Sequence, residues 1–364
     1  MIACERVYAV MKIKLAILED DLSYLNKIVS VFSMKYADKL EVYSFTDKNI
    51  VLSVLKKEKM NVLIASENIE IDVEKIPKWC AFAYFVNSTD IDSVNGQKAI
   101  CKFQKAELIY REILGLYSEN AENTSTLKFL DDKCQVIMFS SPSGGVGNST
   151  MAVACAIRCA GQGKKVLYLN LEKLGTADAF LSAEGTSSMS DVLFALKSKK
   201  SKLAFKLESC VKEDKRGVYF FSQSKFALDM TELNNEDWMQ LINELKVTGF
   251  YEYIIVDMDF GLDQEYLKLY EQVNKVVWVN EGSNITNGKT YRAFQAFKMI
   301  EQEKGMSVVE KIMFVYNKFS NKSCKVIDEE LGVESIGGAP RYLKVSNDQL
   351  IEQLSNMEMF DRLF

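Results

Sequence analysis

The stretch Ser140-Ser141-Pro142-Ser143-Gly144-Gly145-Val146-Gly147-Asn148-Ser149-Thr150 has the residue types and spacing to cradle a phosphate. Glycines let backbone N–H groups turn inward on an anion, and a helix that starts at the loop adds the positive end of its dipole. Ser149 places a hydroxyl at the first helical turn, where it can ligate magnesium, and Thr150 can bond the α-phosphate. The strict phosphate-loop pattern carries a lysine immediately before that hydroxyl; here the position is Asn148. Donors that bind a nucleotide are kept, and a cation that speeds its turnover is missing.

Such a loop needs a strand before it and a helix after it. Gln135-Val136-Ile137-Met138-Phe139 is an apolar run suited to a buried strand, and Met151 to Ile157 is small and apolar enough for the helix. Gly163 to Glu172 forms a second strand with a polar end, and Tyr253-Ile254-Ile255-Val256-Asp257 a third that ends in a carboxylate. Asp257, beside the loop, can hold a magnesium-bound water, with helix capping as its plainer use. Asn317 follows the apolar run Ile312 to Tyr316; its amide, donor and acceptor together, matches the N6 and N7 edge of adenine, and a turn former would look the same. Short strands are expected at Val218–Phe221 and Val276–Val279, and helix starts at Ser190 and Asn235. From residue 133 to the end this βα alternation implies a doubly wound sheet.

The loop, Glu172, Asp257 and Asn317 together resemble the deviant-Walker ATPases of the MinD/ParA superfamily. That family's loop reads Lys-Gly-Gly-x-Gly-Lys-(Ser/Thr)-(Ser/Thr), against Ser143, Gly144, Gly145, Val146, Gly147, Asn148, Ser149 and Thr150 here. Asn170 and Glu172 stand at the acidic positions of its Asp-x-Asp strand end, and Gly338-Ala339-Pro340 resembles the later loop whose proline borders the base. The resemblance implies ATP and magnesium as cofactors. It makes Ser143 to Thr150, Asn317 and Pro340 the nucleotide residues, Ser149 and (through water) Asp257 the metal residues, and Glu172 a candidate for positioning water. Both family lysines are replaced, by Ser143 and Asn148, and the first acidic position by Asn170, which implies little hydrolysis.

Residues 12 to 117 show a separate alternation. Lys14–Leu18, Leu40–Phe45, Asn61–Ala65, Ala81–Val86 and Ala99–Phe103 are strand-like; Leu22 to Phe32, Val51 to Lys59 and Glu107 to Tyr117 are helical. The order resembles the receiver domain of response regulators, a flavodoxin-like parallel sheet. Glu19-Asp20 falls where receivers hold magnesium, and Lys102 near their lysine. The phospho-accepting aspartate is replaced by Ser66. The resemblance therefore implies an interaction or dimerisation module rather than a phosphorylated switch. Three parts are expected: a receiver-like domain at 1–117, a polar linker at 118–132, and a degenerate ATPase domain at 133–364.

The remaining composition narrows the function classes. The chain of 364 residues has no histidine, which removes Ser-His-Asp and Cys-His nucleophile systems and the usual near-neutral base. Net charge of −5 argues against DNA as the main partner. The run Lys197, Lys199, Lys200, Lys202 and Lys206 fits a solvated face, with an anionic patch as the alternative. No apolar stretch is long enough to span a membrane, and no signal peptide is recognisable, so eight scattered cysteines suit a reduced, cytoplasmic protein. Cys155 and Cys159 suit core packing, with metal or redox chemistry as the alternative. Residues before Met11 could be an added strand or disordered. The tail from Leu350 to Phe364 is expected to form one amphipathic helix. Its acidic flanks Asp348, Glu352, Glu358 and Asp361 favour docking on protein over anionic lipid.

Domain order and degeneracy further resemble the TadZ/CpaE localisation factors of Tad (type IVc) pilus assembly. The expected function is an ATP-binding homodimeric scaffold that partners pilus components, recruited by them to a cell pole or the inner membrane face. It needs no DNA and no membrane anchor of its own. The alternative is a cycling ATPase of the MinD/FlhG type, which requires the lysines this chain lacks.

Overall fold

The computed structural model describes residues 12–119, 134–198 and 203–364. Residues 120–132 of the proposed linker, Met1–Val10, and Lys199, Lys200 and Lys202 of the basic run lie outside the described residues. Ser118 and Glu119, expected to open the linker, are instead the last residues of a helix. The described chain forms two compact units, one of 12–119 with 203–209 and one of 134–198 with 210–364.

The first unit runs β1 (Ile13–Leu18), α1 (Leu22–Lys35), β2 (Leu40–Phe45), α2 (Lys48–Lys57), β3 (Val62–Ser66), β4 (Ala81–Val86), β5 (Ser93–Val94), β6 (Gln97–Cys101) and α3 (Ala106–Glu119). The sheet order is β2-β1-β3-β4-β6-β5. Central strands β3 and β4 are buried at every position, which is why they read as unbroken apolar runs rather than alternations. Asp21 caps α1 by accepting from the N–H groups of Ser23 and Tyr24. The expected parallel sheet is present, with one addition: β5 pairs antiparallel with β6. Asn95 and Gly96, with φ of 50° and 74°, make the tight turn between them, so an Asn-Gly hairpin signal stands plainly in the sequence.

At the C-terminal edge of this sheet the residues a receiver would use are tied to one another. Lys102 Nζ lies 3.0 and 2.8 Å from the two carboxylate oxygens of Glu19, with both side chains buried. Glu19 Oε1 also accepts the N–H groups of Asp20 and Asp21 at 3.1 Å each. Ser66 closes β3, fully buried, and its hydroxyl accepts from Asn68 N–H at 3.4 Å. Ser66 rather than an aspartate closes β3, and the next residue, Glu67, accepts the Asn87 N–H at 3.1 Å, so phosphodonors such as acetyl phosphate are expected to leave this unit unmodified. Mass spectrometry checks this directly, and an acyl-phosphate on any of its residues overturns it.

The chain then continues as β7 (Gln135–Ser140), α4 (Asn148–Gly161), β8 (Val166–Asn170), α5 (Met189–Lys197), α6 (Leu203–Cys210), β9 (Lys212–Glu213), β10 (Val218–Phe220), α7 (Asn235–Val247) and β11 (Tyr253–Asp257), all in the second unit except most of α6. It continues with α8 (Gln264–Gln272), β12 (Lys275–Asn280), α9 (Asn284–Lys304), β13 (Ile312–Phe319), α10 (Asp328–Leu331), β14 (Glu334–Pro340) and α11 (Asn347–Ser355). The order is β14-β13-β12-β7-β11-β8-β10-β9, parallel except for β9 against β10. The register sets Asp257 opposite both Phe139 and Asn170, so β7, β8 and β11 end level, and their polar ends meet at one edge. Most of α6 belongs to the first unit. Glu208 there accepts from Lys39 Nζ at 3.2 Å and Tyr110 hydroxyl at 3.0 Å, and the Phe205 ring meets Tyr117 edge-on at 5.2 Å. In the basic run, Lys206 pairs with Glu119 and Lys197 with Asp237.

Gly338-Ala339-Pro340 ends β14 rather than forming a loop. Its place at the sheet edge tolerates a proline, which cannot donate to a ladder. The tail is not one helix. After α11, Asn356 caps the chain and a 3₁₀ turn, Glu358–Leu363, folds back so that Phe360 and Leu363 join Ile351 and Leu354 in the core beside α4. A fork from Arg158 to the two oxygens of Asp361, at 2.7 and 2.6 Å, fixes that fold-back, as a straight helix could not. The tail is thus docked on its own unit, and no described helix is long and apolar enough to cross a membrane. Phe360→Ala is expected to cost about 3–5 kcal/mol of unfolding free energy, measured by denaturant titration; a loss under about 1 kcal/mol would mean the tail is not core.

Candidate nucleotide-binding site

Between β7 and α4 the chain turns through Gly145 and Gly147, with φ of 76° and 94°. A Cβ at Gly147 would come within 2.4 Å of Asn317 Nδ2, so the loop can approach β13 this closely only as glycine. Three side chains hold the loop's shape. Ser141 Oγ donates to Val279 O at 2.7 Å and accepts Ser143 N–H at 3.1 Å. Asn317 Nδ2 donates to Val146 O at 2.8 Å, while its Oδ1 accepts Lys318 N–H at 2.9 Å. Lys318 Nζ donates to Gly145 O at 2.7 Å. Asn317 therefore ties the loop and still keeps one amide hydrogen and one lone pair for a base edge. Gly147 offers no side-chain cap to α4, so the first-turn N–H groups, including those of Ser149 and Thr150, have no intrahelical partner.

Asn148 is turned down into the sheet. Its Nδ2 donates to Asp257 Oδ1 at 2.8 Å and to Phe139 O at 3.2 Å. Asp257 Oδ2 accepts from the Tyr168 hydroxyl at 2.6 Å and from Asn170 Nδ2 at 3.1 Å. Burial, and then the Glu172 charge, push the Asp257 carboxyl up to about 7, against the pull of those donors. Burial, followed by the Asp257 charge, drives the Tyr168 hydroxyl far above its ordinary range. Asn170 also reaches Glu172 Oε2 at 3.2 Å, so this amide bridges two carboxylates where an aspartate would add a third charge. Ser149 Oγ donates to Glu172 Oε2 at 3.2 Å.

Two buried oxygens at the loop have no hydrogen-bond partner among the described residues. They are Ser143 Oγ and Asn148 Oδ1, one free to donate and the other to accept. Ser149 Oγ and the Glu172 carboxylate form an oxygen pair suited to a hard cation such as magnesium. Asp257, expected to serve the metal through water, accepts from Asn148, Tyr168 and Asn170. Pro340 lines a neighbouring cleft of about 580 Å³ with Tyr316, Phe319 and Asn321. Tyr168 and Lys318 are the contacts the sequence did not single out. Tyr168 precedes Asn170 and Glu172 by twos along β8 and its end, and that alternation places all three on one face.

Residues 11–118 match the family model described as TadZ-like, receiver domain. Among solved structures, the chain is similar to the ParA family ATPase from Chlorobium tepidum TLS, at 18% identity over 64% of this chain and 96% of that one, with a TM-score of 0.51. It is also similar to the MinD cell division protein of Aquifex aeolicus, at 19% identity over 63% and 96%, with a TM-score of 0.46. For the septum site-determining protein MinD of Pyrococcus horikoshii OT3, solved with Mg-ADP, identity is 17% over 63% and 97%, with a TM-score of 0.48. No curated protein matches the chain. Residues 11–118 thus match a TadZ-like receiver domain, and the second unit shares the fold of the ParA family ATPase.

The raised Asp257 carboxyl makes stability depend on pH. The native chain keeps a proton there that the unfolded chain, with an ordinary aspartate, has released, so stability falls as pH rises from about 4 to about 7 and levels off above. The slope contributed is at most about 1.4 kcal/mol per pH unit. Urea titrations across that range are expected to show this component in the native protein and not in Asp257→Asn; identical profiles would remove it.

Proposed function

We propose that the protein is an ATP-binding scaffold, with nucleotide stabilising a homodimer and hydrolysis weak or absent, that serves Tad pilus assembly. The observation that carries this reading is the loop itself: a formed phosphate cradle whose Asn148 is spent on Asp257. Ground-state binding relies on backbone donors, the helix dipole and the Ser149 hydroxyl, all of which remain. Acceleration relies on charge placed where the transition state develops it, and losing one such group costs about 10²- to 10³-fold. Ser143 and Asn148 stand where two such cations would be. Magnesium held by Ser149 and Glu172 would neutralise phosphate charge when bound. A TadZ-like receiver domain beside the ParA-type unit supports pilus components as partners and recruitment by them to a pole or to the membrane's inner face.

The cycling-ATPase reading needs a cation in the loop and is disfavoured by that absence. Calorimetry is expected to show micromolar or tighter ATP binding in the presence of magnesium, and extracted ligand from purified protein to be intact ATP. Absence of ATP binding would remove the proposal, and steady release of phosphate would favour the cycling enzyme.

A further inference from the structure

Lys318 holds an unusual backbone conformation, and the loop is what it gains from it. Its φ is 56°, in the left-handed region that residues with a Cβ seldom occupy. It lies in β13 where the pairing with β14 shifts register between Tyr316 and Phe319. Two contacts keep it there: its N–H to Asn317 Oδ1 at 2.9 Å and its Nζ to Gly145 O at 2.7 Å. The stem runs along the loop, with Cε 3.9 Å from where a Cβ on Gly147 would stand. The loop from Ser140 to Thr150 contains no lysine or arginine, and the amide of Asn148 faces the sheet. Positive charge reaches the glycine run from β13 instead.

We propose that Lys318 is the loop's surrogate cation, a polyphosphate-binding and positioning residue that replaces in part the lysine missing at Asn148. It keeps the Gly145 carbonyl turned to itself, which leaves the peptide N–H groups of the run to an anion, and it offsets the ligand's negative charge. The ligand class is a nucleoside di- or triphosphate, so this inference rests on the nucleotide-binding reading above. A charge acting on phosphates must be felt by ATP and ADP and not by adenosine.

The test compares the full-length protein with Lys318→Ala and Lys318→Arg for ATP, ADP and adenosine, each read by displacement of a fluorescent ATP analogue. Lys318→Ala is expected to weaken ATP and ADP by about 10-fold or more, the scale of one charge-assisted hydrogen bond. Adenosine is expected to change by less than about 2-fold, and Lys318→Arg to recover ATP binding to within about 3-fold. The melting temperature of nucleotide-free Lys318→Ala should stay within about 2 °C of the parent. Equal ATP binding by parent and Lys318→Ala overturns the inference alone. So does an equal loss for adenosine, or no recovery by Lys318→Arg. A parent that binds no nucleotide overturns this inference and the proposed function together.

Discussion

The contact between the Asn148 amide and the buried Asp257 carboxylate governs the nucleotide-site unit. A carboxylate at the end of a fully buried strand is costly unless donors surround it. In this chain the donors are neutral: Asn148 from the loop, Tyr168 and Asn170 from β8. A lysine at 148 would satisfy the same carboxylate by charge and leave it ionised. An amide pulls the carboxyl down by hydrogen bonding only, which does not outweigh burial and the Glu172 charge, so the carboxyl stays above its ordinary range. The substitution at Asn148 and the asparagine at Asn170 belong to one arrangement. Asn170 keeps a third negative charge away from Asp257 and Glu172, and Asn148 offers Asp257 a neutral donor in place of a cation.

The receiver-like unit meets the same difficulty with the opposite device. Glu19 is buried at the end of its sheet, and there a true cation, Lys102, neutralises it, with two backbone N–H groups completing the shell. A buried pair of this kind adds little net stability, but losing one partner leaves an uncompensated charge, at about 3–5 kcal/mol. Lys102 is therefore committed to Glu19, and Ser66 gives the strand end no charge of its own. In both units the buried carboxylate at the strand ends draws its donors from neighbouring strands and loops of the same unit.

Much of this was legible in the sequence because buried parallel strands and glycine loops leave strong local signals. Every strand of the first sheet except β5 was visible, β1, β3 and β4 as apolar runs, β2 as an alternation and β6 two residues late. The loop and Asp257 were placed by the strands they follow or end, while Asn317 lies inside β13, which runs on to Phe319. Illegible parts depend on partners far along the chain. Nothing near Tyr168 says that its hydroxyl meets Asp257, 89 residues on. The 21-residue α9 is weakly amphipathic and polar, so its periodicity is faint. The tail looked like one helix because its apolar spacing stays helical past Asn356. Only the Arg158–Asp361 fork, 203 residues apart, makes the break intelligible. The β5–β6 hairpin is a different case, since Asn95-Gly96 is a local signal that outweighs the shortness of its strand.

In the proposed reading, a nucleotide site stripped of hydrolytic charge has a distinct energetic use. Ligand that binds only the native state adds RT ln(1 + [L]/Kd) to stability, about 2.7 kcal/mol at a hundredfold excess over Kd. That contribution persists while the nucleotide is uncleaved. A cycling enzyme spends it at each turnover, because product binds with different contacts. In the proposed reading the loss of cations at Ser143 and Asn148 turns the nucleotide from a fuel into a lasting part of the fold. Asn317 and Lys318 fit this role physically: by fastening Val146 and Gly145 from β13, they form the cradle in advance of ligand, so less of the binding free energy goes to ordering the loop. Preorganisation of this kind raises affinity without supplying the transition-state charge that turnover requires.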